Sequence, residues 1–459
     1  MKVIIILQAI LNLVRKRRDL IANRSKIPAN IKNAIKAIYD PAKQGMTNYD
    51  VIEAYVEDFT KFIKNDNGTF TQNKYNSSIT TQEWLLYKTN GKEIEAMDIY
   101  ITADDNVSPA LRYYYYTSEN NDRKIFNLKV GLNHLPASCY KEKGSTIGIV
   151  FEAQPASEFN ITITQLPTSI LKDLSGNGNH AYLYGGKGKL NSGMGLYKVD
   201  FTSWKFYPSF NTVEYYHNKL VIKKAPDTKN VCAHTFTDKF TAKISNIPDG
   251  TNLYYKYYDR INKKNVSILL HNGINEIDYT NADGSIKATS MFIISKDVDF
   301  NITIEQIPDY PDQLCYDGKM YAVCYGFPIL TDYTVMADRT WFERQNRACF
   351  LSKIITSGTG AFGFEFYNEY NKDTTYSFGR VNDVEQFKDG ITWQITNSYN
   401  GIVKLDYIVN NKDNAELYIG KLRPTEHNGY VGCHGKIIIA DRSFTEDEIT
   451  WLKDNWKKI

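Results

Sequence analysis

The sequence predicts a mainly β chain: a helical N-terminal region, β-sandwich modules after it, and one helix at the C-terminal end. Three observations carry this. Apolar residues recur at helical spacing only before about residue 65 and after residue 444. Between them, short alternating runs are separated by Gly, Asn and Asp turns, the pattern of packed antiparallel sheets. One stretch also occurs twice: Phe159–Pro167 returns as Phe300–Pro308, an offset of 141 (159 to 300).

Residues 1 to 24 read as a helix. Val3, Ile6, Ile10 and Leu13 form a seam at 3, 4, 3 spacing, and Ile at both inward positions favours three or four strands over two. Two uses fit equally: oligomerisation, with a trimer favoured, or docking on the chain's own domain. The apolar run is followed by Arg15-Lys16-Arg17-Arg18 and has no small-residue cleavage site, so it is expected to be retained. It is too short to span a bilayer. Residues 29–40 (Ile31, Ile35, Ile38, stopped by Pro41) and 49–64 (Ile52, Tyr55, Phe59, Phe62) predict two more helices. The first region is thus residues 1–94, a helical attachment or oligomerisation segment.

Strands follow. The 141 offset carries Tyr113, Tyr114 and Tyr116 onto Tyr254, Tyr255 and Tyr257, and Gly131-Leu132-Asn133 answers to Gly273-Ile274-Asn275 with one residue of slippage. This is a duplicated β-unit of about 55 residues, which suits building or display better than catalysis. Copy one lies in residues 95–167 and copy two in 191–312. At the end, Thr445-x-x-Glu448 is a capping box for the closing helix, with Phe444 and Ile449 placed as a hydrophobic staple.

At 459 residues the chain exceeds what one core holds, so several domains are expected. Its 55 basic and 52 acidic residues nearly cancel, which excludes a broadly basic nucleic-acid binder. The 34 tyrosines, by contrast, suit half-buried sheet faces and recognition surfaces. Cys139, Cys232, Cys315, Cys324, Cys349 and Cys433 show no zinc spacing and read as reduced core residues.

Leu171-Lys172-Asp173-Leu174-Ser175-Gly176-Asn177-Gly178-Asn179-His180-Ala181 resembles the opening turn of laminin-G-like, concanavalin-A-like lectin domains. Gly435 to Ile449 resembles that family's last strand and capped helix. Leu314-Cys315-Tyr316-Asp317-Gly318-Lys319-Met320-Tyr321 is similar to its central strand pair, except that Lys319-Met320 replaces a commonly acidic position. The resemblance implies a jelly-roll sandwich split into residues 168–190 plus 313–459, with the β-domain 191–312 inserted. The arrangement is similar to virion proteins of Bacteroides-infecting, crAss-like tailed phages, in which such domains occur in fibres and capsid decorations.

The chemistry sought is largely absent. Concanavalin-like glucanases need paired carboxylates on one strand face, and only Glu365 and Glu369 come near that pattern. No nucleophile-elbow, phosphate-loop or zinc-protease motif occurs. No catalytic residue and no cofactor is therefore expected. Asp173 is a weak calcium candidate beside a turn reading. For sugar stacking, Trp341, Tyr376, Trp393, His427 and Tyr430 are candidates, each set against a core reading. The outward halves of the two Tyr runs would form either an interface or a host-facing surface.

The expectation is a structural virion protein, a head fibre or capsid decoration. Its partners would be itself, other virion proteins such as the capsid, and host or mucosal glycans, with no nucleic acid and no membrane. The alternatives are a tail fibre or receptor-binding depolymerase, and a bacterial cell-surface lectin.

Overall fold

The structure, a computed structural model, describes residues 27–47, 53–55, 70–72, 83–87, 95–103, 111–117, 123–138, 149–153, 161–186, 190–203, 212–223, 230–234, 239–278, 290–294, 299–328, 330, 333–343, 345, 348–353, 363–369, 372–378, 390–396, 416–421 and 429–459. The protein is mainly β, in antiparallel sheets, with a helix at Glu446–Asp454. Among the described residues no helix is long and apolar enough to cross a membrane. The seam Val3, Ile6, Ile10, Leu13 and residue His427 lie outside the described residues.

Two sheets form the largest core. One runs Gly193–Leu196, Asp309–Asp317, Val431–Ala440, Tyr333–Glu343, Gly390–Thr396. The other runs Ile170–Leu171, Ala181–Tyr184, Tyr321–Cys324, Leu417–Ile419, Cys349–Ser352, Gly363–Glu369, Lys372–Phe378. Leu171, Leu183, Leu314, Tyr316, Ala322, Val335, Phe350, Leu417, Ile437 and Ile439 pack between them. Along Ala181–Tyr184, Tyr321–Cys324 and Leu417–Ile419 alternate residues point inward, as a pleated strand requires.

The chain opens differently from its helical spacing. Ala29–Ala34 is a helix, but Ile35–Tyr39 is a strand that pairs with Val431–Ala440. Ile35 and Ile38 match a helical period, yet a bulge between Ile35 and Ala37 puts both isoleucines on one face of the strand, and β-branched side chains suit a strand buried on both faces. Ile38 meets Ile438, Phe444, Ile449 and Leu452 beneath the closing helix, while Ala37 and Tyr39 enter the main core. Val431–Ala440 therefore holds three neighbours. Tyr333–Glu343 runs along one edge, and Ile35–Tyr39 and Leu314–Asp317 share the other. Residues 53–55, inside the third expected helix (49–64), are not helical. The strands Phe70–Gln72 and Glu83–Tyr87 also fall in the region expected to be helical.

The two modules share one strand order. In the second, Lys219–Lys223, Asn301–Ile307, Lys239–Ser245 and Gly273–Asp278 are neighbours in one sheet. Asn230–His234, Ser290–Ile294, Leu253–Asp259 and Lys264–Leu270 form the other. The first has Phe70–Gln72, Ile161–Gln165, Met97–Ala103, Gly131–Leu135 and then Glu83–Tyr87, Ile149–Ala153, Leu111–Tyr116, Arg123–Leu128. The structural repeat therefore begins near residue 70, ahead of the repeated sequence.

Its register also differs from the sequence offset. Tyr113 corresponds to Tyr255, since both are fully buried and lie opposite Phe151 and Phe292 respectively. Asn133 and Asn275 make the same three bonds. Asn133 Oδ1 accepts from Lys129 N (2.9 Å), and its amide donates to the carbonyls of Lys129 (2.7 Å) and Gly131 (2.9 Å). Asn275 does this with His271 (3.0 and 2.7 Å) and Gly273 (3.0 Å). The slipped residue thus lies after the Asn. A one-residue shift exchanges the faces of a strand, so the inward and outward tyrosines swap relative to the sequence alignment.

In chain order the first module lies between Ile35–Tyr39 and Ile170–Leu171, and the second between Gly193–Leu196 and Asp309–Asp317. Both modules are thus loops out of one sandwich.

Candidate functional site

The outer face of the seven-stranded sheet follows from its inner one. Ala181 and Leu183, Ala322 and Cys324, and Leu417 and Ile419 all face the core. Their alternates Tyr182, Tyr184, Tyr321 and Tyr418 must therefore face away. Tyr184 and Tyr321 are cross-strand partners and stack at 5.2 Å and 13°. Tyr184 and Tyr325 join their hydroxyls at 2.9 Å.

The first module covers one end of this tyrosine row. Tyr182 donates to Asp98 Oδ2 at 2.6 Å, Tyr100 packs on Tyr325 at 4.5 Å, and the Tyr100 hydroxyl reaches Glu416 at 3.5 Å. Burial, aided by Glu416, pushes Tyr100 up to about 12. Burial raises Tyr321 as well, with Glu53 adding to it. These phenols are therefore neutral donors at ordinary pH. Glu53 braces the row, accepting from Gly185 N (2.7 Å) and from the Tyr55 hydroxyl.

At the other end the row opens into a cavity of about 220 Å³, lined among the described residues by Gly318, Lys319, Met320, Tyr321, Gly420, Lys421 and Gly429. Tight turns build it. Asp317 Oδ1 accepts from Lys319 N and Met320 N, 2.9 Å each. Gly420 has φ +85°, and a Cβ there would lie 2.6 Å from the Tyr316 ring. Gly429 lies so close to the Gly318 carbonyl that any side chain is excluded. Lys421 Nζ sits 4.5 Å from the Tyr321 ring centroid, a cation–π contact, and partial burial lowers its pKa.

The sugar-stacking candidates are placed elsewhere. Tyr430 is fully buried, and its one O–H proton is shared between the carbonyls of Thr340 (2.6 Å) and Cys433 (2.8 Å). Trp341 packs edge-on against it at 4.5 Å and is 8 % exposed. Both rings fill the sandwich core and offer no face to a ligand, which corrects their assignment. Tyr376 lies on Lys372–Phe378 and Trp393 on Gly390–Thr396. His434 is also core. Its Nδ1 faces the Gly435 carbonyl (2.7 Å), so it carries the proton, and Nε2 accepts from Tyr316 (2.9 Å).

The Asp173 carboxylate is filled by protein donors: Ile38 N (3.0 Å), Ser175 N and Oγ (2.8 Å each) and Asn179 N (3.1 Å). It ties the opening turn to Ile35–Tyr39, a structural role in place of the calcium one. No group of three or more metal-ligating side chains occurs among the described residues.

Sequence reasoning missed Tyr184, Tyr321 and Lys421. The alternation Tyr182-x-Tyr184 and the pair Tyr321, Tyr325 were the available signal.

No protein-family model matches the sequence, and no curated protein matches it. Among solved structures, an arabinofuranosidase complexed with arabinofuranosyl-α-1,2-xylobiose aligns over 80 % of this chain and 62 % of its own, at 11 % identity and a TM-score of 0.24. A GH54 α-L-arabinofuranosidase soaked with a cyclic sulfate inhibitor aligns over 80 % and 63 %, at 10 % identity and a TM-score of 0.26. The chain spans less than two thirds of the length of these enzymes. Scores this low do not establish a shared arrangement of strands.

Proposed function

We propose that this chain is a non-catalytic structural protein of a tailed-phage virion, a head fibre or capsid decoration, which meets glycans at the open end of its tyrosine row. The observation that carries the reading is the architecture: two copies of one β-module looped out of a single sandwich. Duplicated modules on a common base enlarge and extend a surface, which display requires and a single catalytic centre does not. The motif resemblance to phage laminin-G-like proteins agrees with it. At the candidate site, Glu53 and Asp317 are engaged by backbone and phenol donors, as braces rather than as a general acid and base. Many copies on one particle would turn weak contacts into firm attachment.

The test is to raise antibody against the purified protein and label purified phage particles. Label at the head, together with the chain in the particle's protein mass spectrum, is expected. Its absence from clean particles overturns the virion reading, and shortening of Bacteroides capsular polysaccharide by the purified protein replaces it with a depolymerase.

A further inference from the structure

We propose that the cavity beside Tyr321 takes an acidic sugar, a single uronate ring whose carboxylate pairs with Lys421 and Lys319. This rests on the glycan-contact part of the proposed function and adds the class of sugar.

Charge is the first argument. Two lysines line the cavity, and no acidic side chain does among the described residues. The acids nearby already have donors: Asp317 holds the turn amides, and Glu53 holds Gly185 N and Tyr55. Lys421 is half-buried and lies against the Tyr321 ring, with no carboxylate partner among the described residues. An ammonium drawn partly out of water without a counter-ion gains strongly from an anionic ligand, through charge-assisted hydrogen bonds.

Stacking is the second. A neutral sugar is usually held by an open aromatic face. Here Tyr184 and Lys421 already occupy the π cloud of Tyr321. The ring orients the ammonium and cannot also act as a free platform.

Size is the third. About 220 Å³ lies below the roughly 300–1,000 Å³ of sites for drug-sized ligands. The cavity therefore suits one ring at a chain end or branch.

The experiment uses the full chain and calorimetry with trigalacturonate, against the same trisaccharide fully methyl-esterified. The ester keeps the rings and removes the charge. Acid-form binding is expected, at least tenfold weaker for the ester and for Lys421→Gln, with a smaller loss for Lys319→Gln. Lys421→Arg should retain binding, which separates charge from folding, and added salt should weaken the wild-type complex. Equal binding of acid and ester, or unchanged binding by Lys421→Gln, overturns the acidic-sugar assignment while leaving glycan contact standing. If neither trisaccharide binds at millimolar concentration, the assignment fails. If an array of neutral capsular glycans is also silent, the glycan-contact reading fails with it.

Discussion

His434 shows how one residue type divides by surroundings. It is sealed in the core between Tyr316 and the Gly435 carbonyl, and burial holds its pKa down to about 4. The unfolded value is near 6.5, so between pH 6.5 and 4 the unfolded chain binds a proton that the folded chain refuses. Stability therefore falls as pH drops through that window, by up to roughly 3 kcal/mol from this residue. A His434→Gln variant should be less stable at pH 7 but show a flatter decline in melting temperature between pH 6.5 and 4.5. A parallel decline in both would mean that other groups set the acid limit.

At the level of the strand and turn, the paired asparagines are the clearest device. Each satisfies three backbone groups at the glycine turn before its strand, where Gly131 and Gly273 have φ of 99° and 113°. Asn133→Ala and Asn275→Ala should each cost about 1–3 kcal/mol, because a buried amide and its three bonds to the turn backbone are lost together. Each loss should appear in its own module, as separate shifts in hydrogen exchange. The asparagine match and the capping box of the closing helix were readable from sequence, because local bonds leave local patterns. The strand Ile35–Tyr39 was not, since its isoleucines also fit a helix and only the distant partner Ile437–Ala440 decides between them. The tyrosine row escaped for the same reason. Tyr184 and Tyr321 become neighbours only through cross-strand pairing, with the whole second module between them in the chain.

For the whole molecule, the sandwich is a base from which both modules are looped, and the stalks of the second are fastened together. Gln306 bonds Lys198 N, Val199 N and the Val199 carbonyl, and Lys198 pairs with Asp309 at 2.9 Å. Removing residues 1–26 should leave the unfolding transitions unchanged, whereas Ile38→Asp should cost the sandwich on the order of 4 kcal/mol and spare the modules. Calorimetry with separated transitions checks both, and native mass of the shortened chain tells whether the leading segment assembles copies. The looped layout also imposes a timetable on synthesis. Ile35–Tyr39 leaves the ribosome early, yet its partner Val431–Ala440 is translated only after both modules. Each module can close as soon as it emerges, while the base waits with an unpaired edge that invites wrong pairing. A ribosome-stalled chain ending at residue 430 should therefore carry two protease-resistant modules on a protease-sensitive base. Lengthening it through the closing helix should protect residues 27–47 in a single step.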